Sequence, residues 1–134
     1  MNEAQCRKLV RKRANEMCER CGNTSRGLTL HHRRKRSQGG AWSPVNCVAL
    51  CGHGTTPNGC HSWVEHNPND AEWEGFHVRP WQDPAAVAVK YRGRWAFLTE
   101  DGKVEYEDDR GELASGDGEL RGAAAEVPPQ DETR

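Results

Sequence analysis

Most of the cysteines and histidines lie between residues 18 and 66. Thiolates are strong zinc ligands, and a neutral imidazole either binds a divalent metal or accepts a proton near neutral pH. We therefore expect metal-dependent chemistry in this stretch, and we expect the rest of the chain to position it. The main candidates are two cysteine pairs, a histidine pair and a histidine that follows a cysteine: Cys18, Cys21, Cys51, Cys60, His31, His32 and His61.

The paired cysteines predict a closed tetrahedral thiolate site for zinc. Cys18 and Cys21 have CxxC spacing followed by a Gly-Asn turn, which is the usual shape of a zinc knuckle. Cys51 and Cys60 are separated by a wider gap, which leaves His53 as a rival ligand. In a small domain, such a metal site supplies folding free energy. The remaining cysteines, Cys6 and Cys47, are expected to be buried and unliganded.

The composition limits the classes of protein that fit. The 134 residues suit one domain, and the sequence has neither an apolar run that could span a membrane nor a signal peptide. The missing signal peptide and the polar, basic N-terminus indicate a reducing compartment, where cysteines at CxxC spacing bind metal more often than they form disulfides. We therefore expect a cytoplasmic protein with metal sites in place of disulfides, and no membrane partner.

Charge is distributed unevenly along the chain. Residues 1–36 hold 11 Lys and Arg against 3 Asp and Glu, whereas residues 100–134 hold 4 against 12. A basic head with an acidic tail points to a polyanionic partner for the head.

Hydrophobic periodicity predicts a small α+β fold in the first half of the chain. An amphipathic helix with a basic outer face is expected at residues 3–17. A short apolar strand at 28–30 and a second strand or helix start at 47–50 flank a basic loop, and a helix at 60–66 begins at the last cysteine. These elements would position the cysteines and histidines.

The second half of the chain is expected to be simpler. Strands at 86–91, 94–99 and 103–106, joined by Arg-Gly and Asp-Gly turns, predict a β-meander. Residues 107–134 have almost no large apolar side chains and are expected to be disordered. The predicted domain organisation is a core at 1–80, a meander extension at 81–106 and an acidic tail at 107–134.

Hydrolysis of a phosphodiester bond needs groups of the kinds found here. A neutral histidine can take a proton from water, and a divalent cation can stabilise the charge on the phosphate and the leaving oxygen. His32 as the base, with His31 and His61 as metal ligands, would meet those needs. Because neighbours on a flat strand point to opposite faces, His31 and His32 can converge only at a strand end or a bend. Phosphate contacts that position DNA without reading its sequence would come from Arg33, Arg34, Lys35 and Arg36.

In combination, these motifs resemble the HNH endonuclease family over about residues 15–66. The stretch from Cys51 to Glu65, with Gly75-Phe-x-Val and Trp81-x-Asp-Pro after it, is similar to a subset common in actinobacteriophages. The family fold is a ββα-metal finger, in which a two-stranded hairpin and a helix surround one catalytic metal. The pattern that carries the resemblance is CxxC, Leu-x-His31-His32, Gly39-Gly40, Asn46, Leu50-Cys51 and Cys60-His61.

The resemblance implies a role for each motif residue. His31 and His61 would bind a catalytic divalent ion, which could be Mg²⁺, Mn²⁺, Ni²⁺ or Zn²⁺, and His32 would be the general base. Asn46 would hold the loop and the base by hydrogen bonds. Glu65, one helical turn after His61, would be a third ligand or an outer partner of the site. A separate structural zinc would lie on Cys18, Cys21, Cys51 and Cys60.

The expected function is a metal-dependent HNH endonuclease that cleaves DNA with low sequence specificity. Phage proteins of this kind can work with the packaging terminase, so the resemblance implies phage DNA packaging in the bacterial host cytoplasm, with the terminase large subunit as a partner. Two alternatives keep the scaffold without catalysis: a zinc-stapled DNA-binding module and a terminase-associated adaptor. The enzyme is favoured by the complete set of His31, His32, Asn46 and His61.

Overall fold

The computed structural model describes residues 1–55 and 57–107. In this part of the chain, β1 and β2 form an antiparallel hairpin, and β3, β4 and β5 form an antiparallel meander. The arrangement is the small α+β fold that the sequence predicts. The elements are α1 (Glu3–Ala14), β1 (Leu28–His32), β2 (Cys47–Cys51), α2 (Cys60–His66), α3 (Pro68–Trp73), β3 (Val89–Tyr91), β4 (Arg94–Leu98) and β5 (Val104–Tyr106).

Helix α1 begins at a capping box and ends earlier than its periodicity predicts. The Asn2 side chain accepts a hydrogen bond from the Gln5 backbone N–H, and the Gln5 side chain accepts one from the Asn2 N–H. Asn15 and Glu16 have φ of 53° and 62°, so the chain leaves the helix through two left-handed residues. The predicted final turn is therefore lost, and the following loop turns back toward Cys18.

The β1–β2 hairpin is the central layer of the core. Leu28 and Leu30 of β1 pack on the face that α1 covers, as do Cys47 and Ala49 of β2. Val48 and Leu50 lie on the other face, in a second core with α2 and the meander. All five residues of β2 are buried, as expected for a strand covered on both faces.

The meander shares that second core. The side chains of Val89, Tyr91, Ala96 and Leu98 pack with Leu50, Val64 and Phe76. Strand β3 is shorter than predicted because residues 84–86 form a 3₁₀ turn, capped by the Asp83 side chain. The predicted boundary at residue 80 stays a prediction, and most of the predicted disordered tail lies outside the described residues.

A buried polar network ties the meander to the start of the hairpin. Glu19 is 0% exposed and accepts hydrogen bonds from the Arg13 guanidinium, the Tyr91 hydroxyl and the Ala49 N–H. The Arg92 guanidinium donates to backbone carbonyls of residues 14, 17 and 18. Among the described residues, no helix combines the length and the apolar character that crossing a membrane requires.

Candidate active site

His31 and His61 meet between the hairpin and α2, together with Glu65. His31 Nδ1 lies 3.3 Å from Glu65 Oε2, and His61 Nε2 lies 3.7 Å from the same oxygen. One ligand atom from each residue lies within 4.8 Å of the others. Two imidazole nitrogens and a carboxylate oxygen form a donor set that suits a divalent ion and leaves coordination positions open. These residues therefore fit the expected catalytic ion.

In both His31 and His61, the ring nitrogen that faces away from the cluster has a hydrogen-bond partner that fixes the tautomer. His31 Nε2 donates to the Phe76 carbonyl at 2.6 Å. His61 Nδ1 lies 2.5 Å from Thr29 Oγ1, and that hydroxyl donates its only proton to the Gly52 carbonyl at 2.7 Å. Thr29 must therefore accept from His61 Nδ1–H, which leaves His61 Nε2 with a lone pair inside the cluster. Metal-binding histidines generally have outer partners of this kind.

Electrostatics favour the unprotonated states of His61 and Glu65. Burial, with a contribution from the neighbouring His31, lowers the pKa of His61 to about 4. The close contact with the His31 ring lowers the pKa of Glu65 to about 2. At neutral pH, His61 Nε2 and the Glu65 carboxylate therefore carry no proton that a metal ion would have to displace.

His77 belongs to this neighbourhood, although the sequence motifs do not identify it. Its ring centroid lies 5.2 Å from that of His31, and its Nε2 donates to the Val64 carbonyl at 2.9 Å. Burial lowers its pKa. The only sequence signal was a single histidine after Gly75-Phe76, with no partner at a recognisable spacing.

His32 lies on the opposite face of the hairpin, apart from the metal cluster. β1 keeps its alternation up to His32, which pairs with Cys47, so the bend that would bring His31 and His32 together is absent. The His32 ring packs edge-on against Trp42, with 4.4 Å between ring centroids. Its Nε2 is buried and has no hydrogen-bond partner among the described residues. Burial and the nearby Arg36 charge lower its pKa, which keeps the ring neutral at neutral pH.

Asn46 organises the loop between the strands. It is 1% exposed, its Oδ1 accepts from the Arg34 N–H at 2.7 Å, and its Nδ2 donates to the carbonyls of Arg34 and Ala41. These bonds close the loop. The described hydrogen bonds of the Asn46 side chain do not reach His32, so the predicted contact with the base is not seen.

The prediction that Arg33 binds DNA phosphate is wrong, because its guanidinium is buried. Arg33 is 0% exposed and donates to the carbonyls of Gly75, Val45, Pro84 and Val87, at 2.7 to 3.0 Å. It follows His31 by two residues and therefore points to the same, covered face of β1. Burial lowers its pKa to about 9. Arg33 fastens residues 75–87 to the end of β1.

The other three residues of the basic run remain candidates for phosphate contacts. Lys35 and Arg36 are exposed. Arg34 is half-buried, and its Nε donates to the Gln38 carbonyl at 3.1 Å. The Arg36 guanidinium lies 5.2 Å from the Trp42 ring centroid.

The four paired cysteines come together as the sequence predicts, with their sulfur atoms within 4.8 Å of one another. Cys21 Sγ and Cys51 Sγ are 3.7 Å apart. Zinc–sulfur bonds of about 2.3 Å in a tetrahedron place sulfurs about 3.8 Å apart, so the spacing fits a structural zinc. Hydrogen bonding with Cys60 lowers the pKa of Cys18 to about 4, which favours the thiolate. His53 is exposed and does not belong to this group.

The wide gap between Cys51 and Cys60 is closed by two glycines. Gly52 and Gly59 have φ of +82° and +103°, and their backbones touch. A Cβ on Gly59 would lie 2.5 Å from the Cys51 carbonyl oxygen and 2.9 Å from Gly52 Cα. Because Gly52 follows Cys51 and Gly59 precedes Cys60, this contact brings the two cysteines as close together as those of an ordinary zinc knuckle.

Arg20 places a positive charge against the cysteine cluster, a contact that the sequence did not reveal. Its Nη1 lies 3.4 Å from Cys60 Sγ, and its Nε and Nη2 donate to both oxygens of Glu74. Its guanidinium also stacks over Trp63, 3.7 Å from the ring centroid. The same side chain therefore links the cysteine cluster to the ends of α2 and α3.

Residues 18–53 match a family model described as HNH endonuclease. The matched stretch contains Cys18, Cys21, His31, His32, Asn46 and Cys51, and it ends inside the loop that the glycines close. Cys60, His61 and Glu65 lie beyond the match and approach the matched residues in space. No curated protein and no solved structure matches the chain.

Proposed function

We propose that the chain is a metal-dependent endonuclease that hydrolyses phosphodiester bonds in DNA. The observation that carries the proposal is the convergence of His31 Nδ1, His61 Nε2 and the Glu65 carboxylate within 4.8 Å, in a chain whose residues 18–53 match the HNH endonuclease model. These three groups would hold the catalytic ion, and the four cysteines would hold zinc. Bound there, a divalent cation would polarise the phosphate and stabilise the charge on the leaving oxygen.

The roles of the protein's own residues follow from their contacts. Thr29 and the Phe76 carbonyl orient His61 and His31, so the donor atoms point inward before any ion binds. His32 Nε2 would take the proton from the attacking water, because it is neutral and unpartnered among the described residues. His32 Nε2 is buried on the face of β1 opposite His31, so this step requires a local rearrangement that brings it to the bound phosphate.

Weak sequence specificity is part of the proposal. The exposed cations Lys35 and Arg36 would contact phosphates, which hold a duplex in place without reading bases. A role in phage DNA packaging, with the terminase large subunit as partner in the host cytoplasm, is supported only by the resemblance described above.

The burial of His32 Nε2 favours one alternative, a zinc-stapled DNA-binding module that does not cleave. A base with a buried nitrogen, on the face opposite the metal ligands, is what a scaffold without catalysis would tolerate. This alternative predicts salt-sensitive DNA binding without cleavage under any divalent ion.

The deciding experiment is cleavage of supercoiled plasmid by the purified protein, with Mg²⁺, Mn²⁺, Ni²⁺ or Zn²⁺ added in turn and with EDTA as the blank. His32→Ala and His61→Ala should each abolish nicking. His66→Ala is the matched control, because His66 is an exposed histidine of the same helix that bonds only to Ser62 in the described structure. Normal cleavage by His32→Ala would refute the base assignment, and a gel shift without cleavage in the parent protein would establish the binding module.

A further inference from the structure

The tight turn at residues 79–82 presents a tryptophan to solvent. Trp81 is 79% exposed. Among the described residues, Met1 is the only other large apolar side chain that is exposed, at 61%. The turn itself is well formed: the Gln82 N–H donates to the Arg79 carbonyl at 3.0 Å, and the Gln82 side chain accepts from the Arg79 N–H at 2.8 Å. The exposure of Trp81 is therefore built into an ordered turn.

This turn is fixed close to the metal cluster. The Val78 N–H donates to the Arg33 carbonyl at 2.9 Å, and the carbonyl of Phe76 accepts from His31. The carbonyls beyond the turn, at Pro84 and Val87, are held by the buried Arg33 guanidinium. Trp81 follows Phe76 by five positions, so their backbones lie at most about 18 Å apart. That distance corresponds to about five stacked nucleotides.

A polar cleft lies between the metal cluster and the turn. It has a volume of about 210 Å³ and is lined by Lys35, Gln38, Asn69, Glu72, His77 and Arg79, among others. His77 forms the wall shared with the cluster, because its ring packs against His31. Lys35 and Arg79 are exposed at this cleft. Glu72 takes only the Nε of Arg79, at 2.8 Å, and no described residue bonds to the two amino groups of that guanidinium.

We propose that this cleft and Trp81 bind an unpaired segment of the DNA strand that is cut. Lys35 and Arg79 would bind its phosphates, and the Trp81 indole would stack on an unpaired base. Basic side chains beside an exposed aromatic ring are the combination that binds single strands without sequence preference. Inside a duplex, the faces of the bases are already stacked on one another, so an indole gains nothing there. The proposal rests on the proposed function and specifies its substrate class as single-stranded or locally unpaired DNA.

The test compares the affinity of the full-length protein for a fluorescein-labelled single strand and for the duplex of the same sequence, by anisotropy without added divalent ion. Trp81→Ala should weaken single-strand binding about tenfold, as expected for the loss of one base–aromatic stack, and should leave duplex binding within about twofold. Trp81→Phe should restore most of the affinity. Lys35→Ala should weaken both. Lys103→Ala, an exposed lysine of the meander, is the charge control and should change neither.

Two outcomes would overturn the inference. If Trp81→Ala leaves both affinities unchanged, the indole serves another partner, such as a protein. If it lowers both equally, the turn does not distinguish paired from unpaired DNA. The failure of the proposed function would look different. If the protein binds the single strand through Trp81 but cleaves no DNA with any metal, this inference stands and the endonuclease proposal is refuted.

Discussion

Replacing Arg33 by methionine tests whether this residue holds the fold together or binds DNA. Methionine keeps much of the length of the side chain and removes all of its donors. In the structure, two of the carbonyls that Arg33 satisfies, those of Gly75 and Val45, are bonded in fully buried positions. The carbonyls of Pro84 and Val87 are partly open to water, which can replace the lost donor there.

The size of the stability loss in Arg33→Met follows from the two buried carbonyls, those of Gly75 and Val45. Leaving a buried acceptor without a donor costs about 1–3 kcal/mol. Removing a cation whose pKa is lowered to about 9 by burial returns part of that loss. We expect Arg33→Met to lower the free energy of unfolding by about 3 kcal/mol, within the tail of single-residue effects. For a domain of this size, that corresponds to a fall in Tm of roughly 12–24 °C.

Urea denaturation followed by circular dichroism measures the free energy of unfolding. Lys35→Met is the matched control, because Lys35 belongs to the same basic run but is exposed. Its stability should stay within about 0.5 kcal/mol of the parent, while its affinity for DNA falls. The reasoning would be refuted if Arg33→Met were as stable as the parent and lost only DNA affinity, since that is the behaviour of a phosphate contact.

Three further predictions concern the metal sites and the histidines. Cys21→Ser should lose its zinc and much of its thermal stability, and mass-spectrometric measurement of a full equivalent of zinc in this variant would contradict the four-cysteine zinc site. Glu65→Gln should bind Mn²⁺ at least about tenfold more weakly in calorimetry and keep its zinc, whereas unchanged affinity would place Glu65 outside the ligand set. Because the pKa of His61 is lowered to about 4, the folded protein without catalytic metal should lose stability relative to His61→Asn as the pH falls from about 6.5 toward about 4, and parallel pH profiles would contradict the burial argument.

The fold could be predicted from the sequence because its signals are local. Alternating apolar residues in β1, the Asn2–Gln5 capping box and the Gly-containing turns of the meander each act over a few residues. The end of α1 was missed by a turn because Asn15 and Glu16 adopt left-handed conformations that only the following chain imposes.

The candidate site was only partly predictable, since its remaining features depend on distant segments. His31 and His61 could be paired from motifs, but the outer partners Thr29 and Phe76 are fixed by how the strand and the later chain pack. The same holds for Arg33, whose run of basic neighbours suggests a surface role. Its actual partners lie 42 to 54 residues away for three of the four bonds, and no local pattern encodes that distance.

The contact between Gly52 and Gly59 has a consequence for how the length of this loop can vary. Because the Gly52 and Gly59 backbones are in contact, the loop between them begins and ends at nearly the same place. The number of residues in the loop therefore has little effect on the positions of the Cys51 and Cys60 sulfurs. Each doubling of such a loop adds only about 0.6 kcal/mol of closure entropy. The loop is not free along its whole length, because a Cβ on Gly54 would lie 3.4 Å from His61 Nε2, so an insertion at Gly54 would disturb the catalytic ligands. The contact between the two glycines also explains why a motif with fixed spacing would end at this loop and would not include Cys60, His61 and Glu65. The number of residues in the loop differs from the motif, whereas the positions of the ligands do not depend on that number.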